Sequence, residues 1–231
     1  MTFSTKLKEE ICSEDIERVS MFSELSAIIR YDATIKENMI TLVFENASVA
    51  RRVFKDIKSC FNYSPHIIVR NQKRLRAKQI YILEIHDKTK EILERLNIYK
   101  DQKKLAMKRE YLGDPEEMVA YVRGTFLVTG SVSDPTTGGY HLEYVFSDLE
   151  DARFMSKLLQ EMKFDSKIAE RNNRYLIYMK SSEEISDMIR MFGASNSLFY
   201  FEDVRIYRDH KNMVNRLNNC EIANQEKTTK T

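Results

Sequence analysis

The side chains best suited to chemistry in this sequence are a run of cations in the first half of the chain. Five of the nine residues from Arg70 to Lys78 are basic, namely Arg70, Lys73, Arg74, Arg76 and Lys78. Lysine and arginine bind phosphate oxygens, which gives nucleic-acid affinity that depends on salt and not on base sequence. A shorter counterpart in the second half carries Arg171 and Arg174. We interpret these side chains as candidate DNA contacts, and a solvated hairpin tip is the alternative.

A third basic cluster lies near the end of the chain and consists of Arg205, Arg208, His210, Lys211 and Arg216. It is comparable in charge, but it could equally pair with the nearby acids Glu202, Asp203 and Asp209. The net charge of the whole chain is only +2. Overall charge therefore does not argue for nucleic acid, and any basic surface must come from local clustering.

Several other kinds of site are not indicated. The three cysteines are far apart and form no C-x-x-C pair, so neither a disulfide framework nor a zinc site is expected. The glycine-rich segment Thr136 to Tyr140 lacks the phosphate-loop pattern and predicts a hairpin or bulge. We expect no cofactor and no bound metal. The N-terminus has no apolar run, and no stretch of about 18 apolar residues occurs, so we expect a cytoplasmic, nucleoid-associated protein.

Helical and strand periodicities alternate along the chain. A polar helix is predicted from Thr2 to about Glu17, with Ser4 as its cap, and a second helix begins near Ser23 as the cap. Residues 99–113 have little apolar pattern and predict a solvated connector. The remaining elements of the first half are predicted as a strand at 40–44, a helix at 48–61, strands at 66–70 and 79–86, and a helix at 89–96.

The second half repeats the first. Arg153, Leu158 and Met162 each follow their counterparts Arg52, Ile57 and Phe61 by 101 positions. Each half therefore predicts a helix, a strand pair, a helix, a strand pair and a helix. The second-half elements are helices at 116–128, 148–162 and 183–191 and strands at 142–146, 166–171 and 175–180.

The two helices that begin these repeats carry related strings. The second copy runs from Tyr121 to Val132 and ends in Gly130-Ser131-Val132, and the first copy runs from Leu25 to Ile35. Both resemble the LAGLIDADG signature of DNA endonucleases. That resemblance implies that the helices pack together through the small residues Gly124 and Ala27. It also implies that the last acid of each copy would hold divalent metals for phosphodiester hydrolysis.

The acid position is Asp32 in the first copy and Thr129 in the second. A threonine cannot replace a carboxylate as a ligand of a hard cation. One carboxylate leaves two metals and a phosphate under-neutralised, so no catalytic residue is assigned. The alternative role for Asp32 is that of a helix-end residue that satisfies local backbone groups.

The chain as a whole resembles the N-terminal part of the WhiA family, bacterial regulators of sporulation and cell division. Three strings carry the resemblance: Phe3-Ser4 with Lys8-Glu9-Glu10, Tyr121 to Val132 with Tyr140 to Glu143, and Phe201 to Ile206 continuing to Asn215 to Asn224 and Lys227-Thr228. The family's second motif also lacks the acid. Two departures are that Ser195 stands where the family tends to show histidine, and that the chain stops before the family's C-terminal helix-turn-helix domain, which would read DNA sequence.

These observations predict an α+β fold with two LAGLIDADG-like αββαββα repeats, forming a pseudo-twofold monomer with curved antiparallel sheets. The predicted function is a non-catalytic, DNA-associated regulator of the WhiA type, whose partners are DNA and a regulatory protein. The alternatives are a protein-interaction scaffold without DNA contact, and an active nuclease that uses Asp32 and a non-motif carboxylate such as Glu143. The predicted segments are an N-terminal helix at 1–20, repeat 1 at 21–98, a basic linker at 99–115, repeat 2 at 116–212 and a polar tail at 213–231.

Overall fold

The computed structural model describes residues 1–36, 38–72, 78–101 and 103–229. Three of the predicted DNA contacts, Lys73, Arg74 and Arg76, lie outside these residues. Lys78 is described only by its backbone, as the first residue of a strand. Within the described ranges, no helix is long and apolar enough to cross a membrane.

The predicted order of helices and strands in each half of the chain is confirmed. Repeat 1 consists of α2 (Arg18–Asp32), β1 (Thr34–Lys36), β2 (Met39–Phe44), α3 (Ala47–Phe61), β3 (His66–Gln72), β4 (Lys78–Ile85) and α4 (Thr89–Arg95). Repeat 2 consists of α5 (Pro115–Thr129), β7 (Gly130–Val132), β8 (Leu142–Phe146), α6 (Leu149–Glu161), β9 (Lys167–Arg171), β10 (Arg174–Met179) and α7 (Ser182–Met191). Outside the repeats lie α1 (Phe3–Ile11), the short hairpin β5 (Tyr99–Lys100) and β6 (Lys103–Lys104), a 3₁₀ turn (Arg109–Tyr111) and α8 (Ser195–Thr229).

The two repeats form matching antiparallel sheets. Their strand orders are β1-β2-β4-β3 and β7-β8-β10-β9, so each sheet places its first strand at one edge and its third at the other. One face of each sheet is buried under helices, and its residues include Ile40, Leu42 and Phe44 in β2 and Leu142, Tyr144 and Phe146 in β8. The residues between them point the other way, onto a face that we call the outward face of each sheet.

The helices α2 and α5 pack against each other at the centre of the molecule. A Cβ atom on Gly124 would lie 2.5 Å from the Glu24 carbonyl oxygen, so only glycine permits this approach of the two backbones. Ala27, the first-copy counterpart of Gly124, is fully buried, but the backbone that faces Gly124 is that of Glu24. The predicted close approach at Gly124 is therefore confirmed, but it is made against Glu24, one turn before Ala27 in α2.

A buried carboxylate joins the two repeats at this crossing. Glu24 is fully buried, and it accepts hydrogen bonds from Arg52 Nε at 2.5 Å and from Arg123 Nε at 2.6 Å. Arg52 belongs to α3 and Arg123 to α5, so one cation comes from each repeat. Asp56 lies 3.8 Å from Arg52 Nε, and burial together with Glu24 raises the pKa of its carboxyl to about 7. We call Glu24, Arg52 and Arg123 the Glu24 cluster.

The first helix is shorter than predicted. It spans Phe3–Ile11, and its cap is Thr2, whose Oγ1 accepts from Thr5 N at 3.2 Å, and not Ser4. Arg52 donates to the carbonyl oxygens of Ile11 and Glu14 at 3.2 and 2.6 Å, just beyond the end of the helix. Those bonds fix the end of α1 to the Glu24 cluster.

Ser23 was predicted as a helix cap, and this prediction is wrong. Ser23 lies inside α2, where it is buried and donates to Glu117 Oε2 at 3.0 Å. Serine is favoured at caps because its side chain bonds to backbone N–H groups. Serine is also small, so Ser23 fits inside the packed helix α2, where its hydroxyl bonds to Glu117 of α5.

The end of the chain differs from the predicted polar tail, because α8 continues through Thr229. No glycine or proline occurs after Ala194, so nothing in the backbone stops a helix that starts at Ser195. The connector is also better packed than predicted, since Arg30 donates to the Leu105 and Asn97 carbonyl oxygens at 2.6 Å each.

The Glu24 cluster makes a testable prediction about stability. We expect Glu24→Ala to lower the free energy of unfolding by about 3–5 kcal/mol, because it leaves two buried guanidinium groups without their carboxylate. Urea unfolding followed by circular dichroism measures this loss. The matched control is Glu150→Ala, which breaks an exposed ion pair with Arg153 and should cost less than about 1 kcal/mol. Equal losses of stability in the two variants would contradict a central role for Glu24.

Candidate functional site

Asp32 stands at the end of α2, where the repeat's first strand begins. Its Oδ2 accepts a weak hydrogen bond from Val43 N at 3.4 Å. Burial raises the pKa of this carboxyl to about 6, against smaller opposite effects of the Val43 bond and of Lys8. The alternative role for Asp32, a helix-end residue that satisfies a backbone group, agrees with this contact.

Thr129 occupies the matching position at the end of α5. Its hydroxyl donates to the Thr125 carbonyl oxygen of its own helix at 2.9 Å. Thr129 therefore offers neither a negative charge nor a free hydroxyl as a counterpart to Asp32. Within the described ranges, no group of three or more histidine, cysteine, aspartate or glutamate side chains could hold a metal ion. The residues present do not fit the pair of divalent metals that the LAGLIDADG resemblance implies.

A lysine from outside the repeats lies beside Asp32. Lys8 of α1 lines the same cleft as Asp32, together with Thr5, Asn46 and Ser131. Burial lowers the pKa of Lys8 to about 8, while Asp32 acts in the opposite direction. The Lys8 ammonium also lies 5.5 Å from the centre of the Phe126 ring. Sequence reasoning assigned Lys8 no role, because one lysine in a polar helix resembles any solvated cation.

The predicted cations Arg70 and Arg171 occupy equivalent places in the two sheets. Arg70 of β3 lies opposite Ile80 of β4, two residues after the pair of Ile68 and Ile82. Arg171 of β9 lies opposite Arg174 of β10, two residues after the pair of Ala169 and Leu176. Arg70, Arg171 and Arg174 are all exposed and lie on the outward faces. Exposed Lys36 and Lys167 lie on the same faces. Sequence reasoning missed them, although strand alternation was the signal that could have found them.

The centres of the outward faces are not basic. In the first sheet, Val43 pairs with Ile82, and the next row places Thr41 beside Glu84. In the second sheet, Val145 pairs with Leu176, and Glu143 pairs with Tyr178. Val43 is 47% exposed. Among the described residues, the positive charge of each outward face therefore lies toward its margins, around an apolar and partly acidic centre.

Glu143, the carboxylate considered for an active nuclease, is engaged by its neighbours. It accepts from Ser131 Oγ at 3.2 Å, and its other oxygen lies 3.0 Å from His141 Nε2. The His141 ring stacks on Tyr178, with the ring centres 5.7 Å apart. These contacts occupy both carboxylate oxygens of Glu143.

The third basic cluster is partly used inside the molecule. Arg205 pairs with Glu202 at 2.7 Å, which is the acid pairing considered for this cluster. Arg208 donates to the Pro135 and Thr137 carbonyl oxygens at 2.7 and 2.8 Å and stacks on Tyr140. It thereby clamps the glycine-rich segment, which joins β7 to β8 as the predicted hairpin connection.

Comparisons with known proteins agree on one family. The model of the WhiA N-terminal LAGLIDADG-like domain matches residues 18–99, and that of the WhiA LAGLIDADG-like domain matches residues 118–211. Helix α1 lies outside both matches. The chain is 38% identical over 233 residues to the probable cell division protein WhiA of Staphylococcus aureus strain USA300. That alignment covers 99% of this chain and 74% of the relative.

Solved structures share the fold. Full-length WhiA from Thermatoga maritima matches with a TM-score of 0.71 at 21% identity, over 96% of this chain and 74% of that one. The homing endonuclease I-WcaI, bound to its DNA recognition sequence, matches with a TM-score of 0.52 at 12% identity, over 78% of this chain and 84% of that one. At these identities the likeness concerns the fold alone.

The raised pKa of Asp32 predicts a pH-dependent gain in stability for Asp32→Asn. Burial disfavours the ionised carboxyl, so the penalty is absent below the ordinary pKa of 3.8 and complete above about pH 6. Relative to the parent chain, Asp32→Asn should gain about 1–3 kcal/mol between pH 4 and pH 7. Denaturant unfolding across this range measures the gain. Asp187→Asn, which changes an exposed carboxylate, serves as the control. A difference for Asp32→Asn that does not change with pH would show that Asp32 is not desolvated.

Proposed function

The chain belongs to the WhiA family, and on this basis we propose that it is a non-catalytic regulatory protein that associates with DNA. Its role is that of a WhiA-type regulator of transcription or cell division. The observation that carries the proposal is that the chain has the LAGLIDADG-like fold but lacks the second of the two motif carboxylates. The LAGLIDADG-like architecture is present in both repeats, while Thr129 replaces the second carboxylate and bonds to its own helix.

Two features of the cleft support the absence of catalysis. A metal pair needs carboxylate oxygens from both motif helices, and only α2 supplies one. The Lys8 ammonium lines the same cleft as Asp32, so the charge beside that carboxylate is supplied by α1. A cation held by the protein disfavours a second cation at the same place.

The arrangement of cations supports DNA association. A structural neighbour with this fold is a homing endonuclease bound to its DNA recognition sequence. Arg70 and Arg171 lie at equivalent positions of the two sheets, so a duplex that spans both sheets would meet a cation at each. Such contacts reach phosphates and carry no base preference. We therefore propose weak, sequence-independent binding by this part of the molecule.

The centre of the outward faces favours a second candidate function. Val43, Val145 and Leu176 present apolar surface there, and Glu84 and Glu143 add negative charge. Apolar surface with few charges suits a protein partner better than a phosphate backbone. The second candidate is therefore an interaction scaffold that binds a regulatory protein through these faces and does not contact DNA.

Duplex binding at two salt concentrations distinguishes the two candidates. We expect the parent chain to bind duplex DNA at low salt and to lose affinity at higher salt. Replacing Arg70, Arg171 and Arg174 by alanine should weaken binding, and the slope of log affinity against log salt should fall by about 0.9 for each phosphate that is no longer neutralised. A second variant that replaces Lys73, Arg74 and Arg76 tests these three cations in the same way. Fluorescence anisotropy with a labelled duplex measures both quantities.

The control replaces three exposed cations on the helical side of the molecule, namely Lys90, Lys157 and Arg190. It removes the same charge but leaves the outward faces intact, so affinity and salt slope should remain close to those of the parent. If the variant at Arg70, Arg171 and Arg174 binds like the parent, the outward faces do not bind the duplex through these arginines. If the parent does not bind at low salt, the scaffold function replaces the proposed one.

Incubation with supercoiled plasmid and magnesium tests the absence of catalysis. We expect no nicked or linear product from the parent chain, and the same result from Asp32→Asn, because a single carboxylate leaves the metals under-neutralised. Agarose electrophoresis over several hours measures the product. Nicking by the parent that disappears in Asp32→Asn would show that the protein is a nuclease.

A further inference from the structure

Helix α8 extends far beyond the body of the molecule. Its first turns are anchored, because Phe201 is fully buried and Glu10 of α1 accepts from Ser197 N at 2.8 Å. Farther along, Arg208 still bonds to the glycine-rich segment of the body. Every residue from 209 to 225 is exposed, which corresponds to about 25 Å of helix. An isolated segment of this length gains little stability from its own hydrogen bonds in water.

One side of α8 carries a line of apolar residues. Phe199, Ile206, Met213 and Cys220 follow each other at intervals of seven, and Leu217 lies between the last two. The exposed fractions of Phe199, Ile206, Met213 and Leu217 are 67%, 62%, 62% and 55%. We call these five residues the apolar stripe. Intervals of three, four and seven residues are the pattern of a helix that packs along another helix.

We propose that the apolar stripe is a dimerisation surface, which packs in antiparallel orientation against the apolar stripe of a second copy of this chain. A twofold axis through Met213 would place Ile206 opposite Cys220 of the second copy, and Met213 opposite its own equivalent. The same surface then serves both copies, which is the condition for a closed, symmetric pair.

The charges at the edge of the stripe complement each other in this arrangement. Asp209 and Arg216 lie along the same edge, two turns apart, and in the described part of the chain neither has an ion-pair partner. The antiparallel axis brings Asp209 of each copy to within one residue of the position opposite Arg216 of the other, so that these two long side chains can form two attractive pairs. The net charge of +2 per chain opposes association only weakly.

The antiparallel orientation also extends the contact toward the body. The exposed end of each α8 would lie along the stretch of the other helix that carries Ile206, which is itself exposed.

Sedimentation equilibrium of the full chain tests the surface. We expect a reversible dimer whose population rises with concentration. Leu217→Glu should raise the dissociation constant at least tenfold, because it places a charge in the apolar stripe. The matched control is Ile222→Glu, since Ile222 is also 55% exposed but lies nine residues from Met213 in the sequence, on the opposite side of the helix. A chain that remains monomeric at all concentrations, or equal weakening in both variants, would overturn the proposal.

Charge reversal tests the orientation. Asp209→Arg and Arg216→Asp should each weaken the dimer, because each juxtaposes like charges, and the double variant should restore the parent's dissociation constant. Under mild oxidation, Ile206→Cys should form an interchain disulfide with Cys220, which a non-reducing gel reveals as a dimer band that the parent lacks. A Cys220-to-Cys220 band in the parent, or a double variant no stronger than the single ones, would overturn the antiparallel arrangement.

Discussion

Two arginines, one from each repeat, share a single carboxylate that water does not reach. Glu24 can hold both because the backbone of α2 approaches Gly124 without an intervening side chain. Arg52 uses its Nη1 to donate to the Ile11 and Glu14 carbonyl oxygens. The relative placement of α2, α3 and α5, and the end of α1, therefore depend on one buried charge cluster. Such a cluster is stable only when all its members are present, since any member left alone would be a desolvated charge.

This arrangement determines what surrounds Asp32. Because α1 is tied to the Glu24 cluster through the Ile11 carbonyl oxygen and to the start of α8 through Glu10, Lys8 is held over the ends of the motif helices. The cleft therefore contains a partly desolvated acid and a partly desolvated amine, whose pKa values are about 6 and about 8. Near neutral pH both are charged, and each lowers the cost of the other's ionisation.

Much of the architecture could be predicted from periodicity alone. The interval of 101 positions between Arg52 and Arg153 identified the repeat, and alternation along residues 40–44 identified a buried strand face.

The charged contacts could not be predicted, because the residues next to Glu24 in the sequence do not indicate which side chains it meets in the fold. Ser23 has the side chain of a cap but serves as a small interface residue. The length of α8 was not predicted, because the polar residues of its second half were interpreted as a tail. The lack of glycine and proline and the spacing of the apolar stripe were the signals for a long helix. In the candidate site, comparison of the two motif copies identified Asp32 and Thr129. Lys8 could not be found in this way, because it belongs to α1, which lies outside both repeats.

The presence of both repeats in one polypeptide has a genetic consequence. In a symmetric pair built from two identical chains, each motif position is encoded once, so any substitution appears on both sides of the axis. Here Asp32 and Thr129 are encoded by separate codons, as are Ala27 and Gly124. A base change in one codon leaves its counterpart untouched. The two ends of the helix pair, and likewise the two outward faces, can therefore be selected for different tasks while the common fold is maintained by the residues between them.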